Sequence, residues 1–261
     1  MRRSERVKRK VEDCLQTDAT NDKKSKINDL LLNDNQLNPI TIQRSPYFQS
    51  NDKISEDFFQ NKSCIELSKA LLGQILCRRL SMNGPILKGR IVETEAYLGV
   101  EDKACHTYGG RRTESCEPMY MKAGTCYVYF TYGMYYCMNL SSEGEGSAVL
   151  LRAIQPIKGI DSMQTLRAES RKGKNPNNCR QYKLKMLANG PSKLCMAFDI
   201  NKNNMNKVDI TNSQYIWLES GGTVPSDDII CSKRIGIPNH GEWTDKLLRF
   251  YIKGSEFVSF K

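Results

Sequence analysis

Residues Arg90 to Gly99 read Arg-Ile-Val-Glu-Thr-Glu-Ala-Tyr-Leu-Gly and alternate with the two-residue period of a strand. On that period Ile91, Glu93, Glu95 and Tyr97 share one face, and Val92, Thr94 and Ala96 share the other. Two carboxylates on one face of an otherwise apolar strand are costly to bury unless they are paired or carry out chemistry.

A second stretch, Tyr127 to Asn139, packs five tyrosines into ten residues around Gly133. Flat rings tipped with hydroxyls suit a core with polar rims or a surface that stacks on bases. Cys126 to Phe130 and Tyr135 to Leu140 read as two strands, with Tyr132-Gly133 at the bend between them. The two stretches together point to a carboxylate acting beside an aromatic cage.

Other elements follow from period and punctuation. Ile65 to Gly73 has helical spacing and a glycine stop, and Gln74 to Leu80 reads as a strand. Met82-Asn-Gly-Pro85 is a turn into the strand at 87–98. A short apolar strand over 147–154 is interrupted by Arg152, and helical patterns recur at 160–170 and 191–198. Residues 171–183 read as a polar, basic loop, and Tyr215–Leu218 with Leu248–Ile252 as a last strand pair. Short, turn-linked strands define an α+β class, a single domain with a mainly antiparallel sheet.

Residues 1–60 are mostly Asn, Asp, Lys, Ser and Gln, too polar to offset chain entropy by burial, and are expected to form a disordered arm ahead of a domain at 61–261. That arm carries 11 basic and 10 acidic side chains, so nearly all of the net charge of +10 falls on the domain. A basic domain suits a polyanionic partner, and the six basic residues among the first ten read as a nuclear-import signal. A merely solvated charge run is the plainer alternative for that cluster. The ten cysteines form no Cys-x-x-Cys pair, and His106 and His240 are the only histidines, which argues against a zinc site. With no apolar leader or membrane-length run, the cysteines are expected to be reduced, in a cytosolic or nuclear protein without a membrane partner, and the basic cluster points to the nucleus.

The chain shows no P-loop, dinucleotide fingerprint or nucleophile elbow. What remains as chemistry is a carboxylate, the aromatics, His106, Asn139 and Arg152. The residues alone do not choose between Glu93 and Glu95. Tyr127, Tyr135 and Tyr136 read as core-packing strand residues, and a lone histidine such as His106 is more often structural than functional. Gly190-Pro-Ser-Lys193 reads equally as a capped helix start or a phosphate contact. A non-catalytic nucleic-acid-binding domain satisfies the charge and the tyrosines as well.

Glu93-Thr-Glu-Ala-Tyr-Leu-Gly99, Tyr132-Gly-Met-Tyr135, Cys137-Met-Asn139, Leu150-Leu-Arg152 and Gly190-Pro-Ser-Lys-Leu-Cys195 resemble, in order and spacing, the alkyladenine (3-methyladenine) DNA glycosylase family. The resemblance spans roughly residues 60–261 and implies a curved antiparallel sheet with a protruding β-hairpin. It implies a monofunctional enzyme that flips alkylated or deaminated purines out of double-stranded DNA and removes them with water, as a monomer and without a cofactor or metal. By position it makes Glu95 the general base, with Arg152 and the Ile235 carbonyl holding the water. Tyr97, His106 and Tyr129 would grip the flipped base, and Asn139 would oppose the exocyclic amine of guanine. Tyr132 would intercalate, with Met134 and Lys193 against the DNA. One departure stands out: Thr113-Glu-Ser-Cys-Glu-Pro118 is acidic where the family has a basic loop, which is expected to weaken local DNA contacts.

Overall fold

The computed structural model describes residues 53–170 and 181–260. The basic cluster at the start of the chain, most of the polar arm and most of the 171–183 loop lie outside the described residues. Helix α1 (Cys64–Ala70) is started by a capping box between Ser63 and Glu66, and it presents Leu67 to the core. Strands β1 (Ile75–Arg79), β2 (Ile86–Tyr97), β3 (Cys126–Thr131), β4 (Tyr135–Ser141) and β5 (Ala148–Lys158) follow. Then come α2 (Ile160–Glu169), α3 (Pro191–Ala197), α4 (Lys202–Met205), β6 (Ile216–Glu219), β7 (Ile229–Ser232) and β8 (Arg249–Ile252).

The strands build one antiparallel sheet in the order β3-β4-β5-β2-β1-β6, with β8 on β2 and β7 on β8. The free edge of β2 is shared: β1 pairs with Ile86–Arg90, and β8 takes over at Glu93–Glu95. The sheet forks and curls there. The expected α+β class and curved sheet hold, but the last strand pair does not, because β6 joins β1 while β8 joins β2.

The unbroken alternation expected for 90–99 also fails. The β2–β5 register shifts between Ile91 and Glu93 and again between Glu93 and Thr94, which leaves Val92 and Arg152 without a directly opposed partner. A bulge adds a residue to one strand and re-aims the side chains around it. Ile91 therefore parts from the glutamates and joins Leu87, Ala96, Leu151 and Ile154 in the main core, on the side where Thr94 Oγ1 donates to Ser68 O of α1 at 2.9 Å. Val92 packs with Ala153 and Phe257 in a separate cluster. Glu93, Glu95 and Arg152 are thus brought together on the side away from α1.

The domain begins earlier than residue 61. Ile54 N–H donates to Leu218 O at 2.9 Å, and the Phe59 ring is buried, where it seats against Gly124. The first residues read as arm on composition thus include eight that join the fold. A chain starting at Asn61 is expected to melt lower than one starting at Lys53. Losing a buried phenylalanine costs about 3–5 kcal/mol, or roughly 10 °C in a domain of this size. Calorimetry of the two truncations checks this, and equal melting temperatures would return the boundary to 61.

Candidate active site

Strand β2 ends in the site. Glu95 and Glu93 are both fully buried on it, yet their surroundings differ. Glu93 accepts four bonds: its Oε1 accepts from Arg152 Nε at 3.1 Å, Arg249 Nη1 at 2.9 Å and Ser259 Oγ at 2.8 Å, while its Oε2 accepts from Ser259 N at 2.6 Å. That is the pattern of a structural ion pair. Glu95 Oε1 accepts from the Ile235 amide at 2.8 Å and lies 3.1 Å from Arg152 Nη1, and Oε2 takes the Tyr97 hydroxyl at 3.0 Å. Burial pushes the Glu95 carboxyl above the usual carboxylate range, against the pull of Arg152, the Ile235 amide and Tyr97. Arg152 bridges the two acids. Burial works against its charge, and Glu95 and Glu93 together outweigh it, holding the guanidinium firmly protonated.

Beside Glu95 lies a cavity of about 620 Å³ lined by Tyr97, His106, Tyr127, Tyr129, Tyr132, Asn139, Arg152, Ile235 and Pro191 among others. Its walls are ordered by one another. The His106 ring meets Tyr129 edge-on, with centroids 4.7 Å apart, and its Nδ1 is 2.7 Å from the Tyr127 hydroxyl. Crowding by the cavity walls, and secondarily Arg111, lowers the His106 pKa, so the imidazole is neutral at physiological pH. Asn139 is buried opposite Leu150 of β5, and its Nδ2 donates to Tyr127 O at 3.1 Å, which fixes the amide plane in the cavity wall.

Tyr127 was expected to serve only the core. It is buried, but it stacks on Tyr129 at 5.3 Å and holds His106. The signal was present in the sequence, since Tyr127 and Tyr129 are two apart on a strand and must share a face. Asp102 and Arg234, by contrast, gave no sequence signal. They form a fully buried pair, with Arg234 Nη2 donating to Asp102 Oδ1 at 2.9 Å and the guanidinium 4.7 Å over the Tyr97 ring. This pair joins the loop that carries His106 to the loop that carries Ile235.

The hairpin tip is built for exposure. Tyr132 and Gly133 have φ of 52° and 64°, and Met134 N–H closes the turn on Thr131 O at 3.2 Å. Positive φ at both central positions is the type I′ hairpin turn, which favours Asn and Gly and strains a tyrosine. Tyr132 is 82% exposed and Met134 66%. A large ring held strained and in solvent buries little in the domain, and residues in such conformations cluster at functional sites.

Met134 and Lys193 are not among the residues lining the cavity. Lys193 Nζ, on α3, donates to Asn189 Oδ1 at 2.8 Å just ahead of the helix, and burial lowers its pKa. The acidic departure is partly neutralised: Glu117 is bound by Arg112 through two bonds of 2.6 and 2.9 Å, and Arg112 lies 4.7 Å over the Tyr120 ring. Among the described residues no group of three or more His, Cys, Asp or Glu could hold a metal ion, and no helix is long and apolar enough to cross a membrane.

A family model described as methylpurine-DNA glycosylase matches residues 57–256. The chain belongs to that family. Its relatives include a probable DNA-3-methyladenine glycosylase of Encephalitozoon cuniculi, 51% identical over 196 residues, which cover 75% of this chain and 88% of that protein. The human DNA-3-methyladenine glycosylase is 47% identical over 221 residues, 83% of this chain and 72% of the human one. A putative 3-methyladenine DNA glycosylase of Clostridium perfringens is 45% identical over 212 residues, 80% of this chain and all of that protein.

Proposed function

We propose that this protein hydrolyses the N-glycosidic bond of alkylated or deaminated purines, of the 3-methyladenine, 7-methylguanine, hypoxanthine and ethenoadenine class, in double-stranded DNA. The observation that carries the reading is one buried carboxylate, Glu95, beside an aromatic cavity next to an exposed, strained Tyr132. The names of the relatives support the reaction class.

The chemistry follows from the groups present. Glycosidic cleavage develops positive charge on the sugar, which an adjacent carboxylate stabilises while it takes a proton from the attacking water. Glu95 Oε2 has the Tyr97 hydroxyl as its one donor, so a second acceptor direction remains for that proton. Arg152 pulls the buried carboxyl toward its ionised form against the effect of burial, and with the Ile235 carbonyl it would orient the water. The raised pKa makes Glu95 a stronger base than a solvated carboxylate.

A cavity of about 620 Å³ lies within the range of small-ligand sites and has room for a purine turned out of the helix. Tyr97, His106 and Tyr129 would hold that base, and electron-rich rings favour a cationic alkylpurine. Asn139, its amide pinned by Tyr127, would exclude the guanine amine. Tyr132 would fill the gap left in the stack, with Met134 and Lys193 toward the strand. The protein would act as a monomer in the nucleus, with the N-terminal basic cluster as its import signal.

A duplex with one hypoxanthine, incubated with the protein and then treated with alkali, should break at that position. An intact strand under conditions where the protein binds DNA would remove the assignment. Tyr132→Ser is expected to lower damage-specific binding while leaving the fold intact, because the exposed ring buries little in the domain and the gap goes unfilled. Fluorescence of a lesion duplex that reports flipping checks this, and an unchanged signal would rule out the wedge role.

A further inference from the structure

Arg249 lies on β8, directly opposite Glu95 in the β2–β8 pairing, and is buried. None of its bonds reaches Glu95. Its Nη1 donates to Glu93 Oε1 at 2.9 Å and to Phe260 O at 2.8 Å, its Nη2 to Ser232 Oγ at 3.2 Å, and its Nε to Lys233 O at 3.1 Å. The plane of the guanidinium lies 4.8 Å over the Tyr251 ring. All three nitrogens of the fork are engaged, which an ammonium could not reproduce.

Two of these bonds lead to the catalytic carboxylate by separate routes. Through Glu93, Arg249 shares an acceptor oxygen with Arg152, whose Nε is bound there at 3.1 Å while its Nη1 faces Glu95 at 3.1 Å. Through the Lys233 carbonyl, Arg249 fixes the strand exit two residues before Ile235, whose amide donates to Glu95 at 2.8 Å. Two of the three groups that bind Glu95 are therefore set by one side chain that does not touch it. We propose that Arg249 is a positioning residue for the hydrolytic reaction, holding both Arg152 and the Ile235 amide on Glu95 from behind the sheet. This rests on the glycosylase reading above.

The charge balance gives the inference a signature that packing alone would not. Glu93, Glu95, Arg152 and Arg249 are two anions and two cations in one buried cluster. Without Arg249, a single guanidinium serves two carboxylates. Glu93 keeps the Ser259 amide and hydroxyl, so the deficit falls on Glu95. The other groups facing Glu95 are Tyr97 on β2, Tyr129 on β3, Cys137 on β4 and Arg234 beside Ile235, and of these only Arg234 is cationic. Its charge is committed to Asp102. Loss of a nearby cation disfavours the ionised carboxylate, so the acid limb of the rate profile moves toward higher pH.

The test compares the parent with Arg249→Met and Arg249→Lys in single-turnover removal of hypoxanthine from a duplex between about pH 5 and pH 8. Melting temperature and affinity for undamaged duplex are measured alongside. The Met variant should be about tenfold to a hundredfold slower, the scale of a displaced catalytic contact, with its acid limb raised by about half a unit or more. Its DNA affinity should stay close to the parent's. The Lys variant keeps the charge but not the fork, and should be slow with the parent's acid limb. A folded Met variant with either the parent's rate or the parent's acid limb overturns the inference and makes Arg249 a purely structural tie. If the Met variant does not fold, the Lys variant decides: a parent-like rate overturns the inference, and a tenfold loss with intact DNA binding upholds it. A parent that releases no base would instead overturn the functional reading, and this inference with it.

Discussion

Replacing Glu95 with Gln is expected to bring base excision close to the limit of detection while lesion-duplex binding persists. Gln keeps the size of the side chain, and its carbonyl oxygen can still accept from the Ile235 amide, now 2.8 Å away, while its NH2 would face the Tyr97 hydroxyl, now 3.0 Å away, as a donor. It cannot take a proton from water or carry the charge that faces the developing oxocarbenium ion. General-base assistance alone is worth about 10²–10⁴-fold, and the lost electrostatic stabilisation adds to that. Stability should move the other way. Burial raises the folded-state pKa of Glu95 above its unfolded value, so its contribution is favourable at low pH and is lost as the pH rises through the folded pKa. Above the unfolded pKa, the buried carboxyl costs stability that Gln does not. The melting temperature of the variant at pH 7 should equal or exceed the parent's, and the gap should narrow on acidification.

Glu93→Gln should show the opposite profile. Arg152, Arg249 and Ser259 would lose an ionised acceptor inside the protein, so the fold is weakened, while the rate stays well above that of the Glu95 variant. Single-turnover excision and calorimetry on both variants separate the roles. A Glu95→Gln protein that excises within about tenfold of its parent, far less than loss of a general base allows, would reverse the assignment. So would a folded Glu93→Gln protein that is the inactive one.

The contrast between these glutamates shows where sequence reasoning reached and where it stopped. The strand carrying them, the tyrosine hairpin and the two main helices follow from local period and turn residues, and the structure has all of them near the expected limits. What separates Glu93 from Glu95 is not local. It depends on Arg249 and Ser259, which lie 156 and 166 residues away, and on a bulge in β2 that no alternation pattern announces. The same limit hid Asp102 and Arg234, whose separation of 132 residues leaves no spacing to read. Phe59 was lost in a polar segment because burial of one ring against Gly124 does not change composition. Tyr127 differs from these. Its face was readable from Tyr129, and it was missed because a buried strand tyrosine was given one role when its two ends serve two.

Asp102→Ala should be among the most damaging substitutions outside Glu95. Asp102 and Arg234 have fully buried side chains, and Asp102 also accepts from the Leu98 amide at 3.1 Å and the Ala104 amide at 3.0 Å. Removing it strands a guanidinium that burial already disfavours and that Asp102 holds charged, and it orphans two backbone donors. Breaking one side of a buried pair costs about 3–5 kcal/mol, which is about 10 °C or more in a domain of this size. The excision rate should fall as well, because the loop bearing His106 and the loop bearing Ile235 are tied through this pair. Arg234 also covers the Tyr97 ring and donates to Ala96 O at 3.0 Å. The double variant Asp102→Leu with Arg234→Met tests the cause. An apolar pair of similar volume needs no compensating charge, so its melting temperature should recover much of the loss, and the two substitutions should be far from additive. Excision should not recover with it, since the ties to Leu98, Ala104 and Ala96 are gone. If Asp102→Ala melts within about 2 °C of its parent, less than 1 kcal/mol on this scale, the pair does not hold the two loops. A double variant that regains the full rate would show that the loops need only to be filled between, and not to be tied.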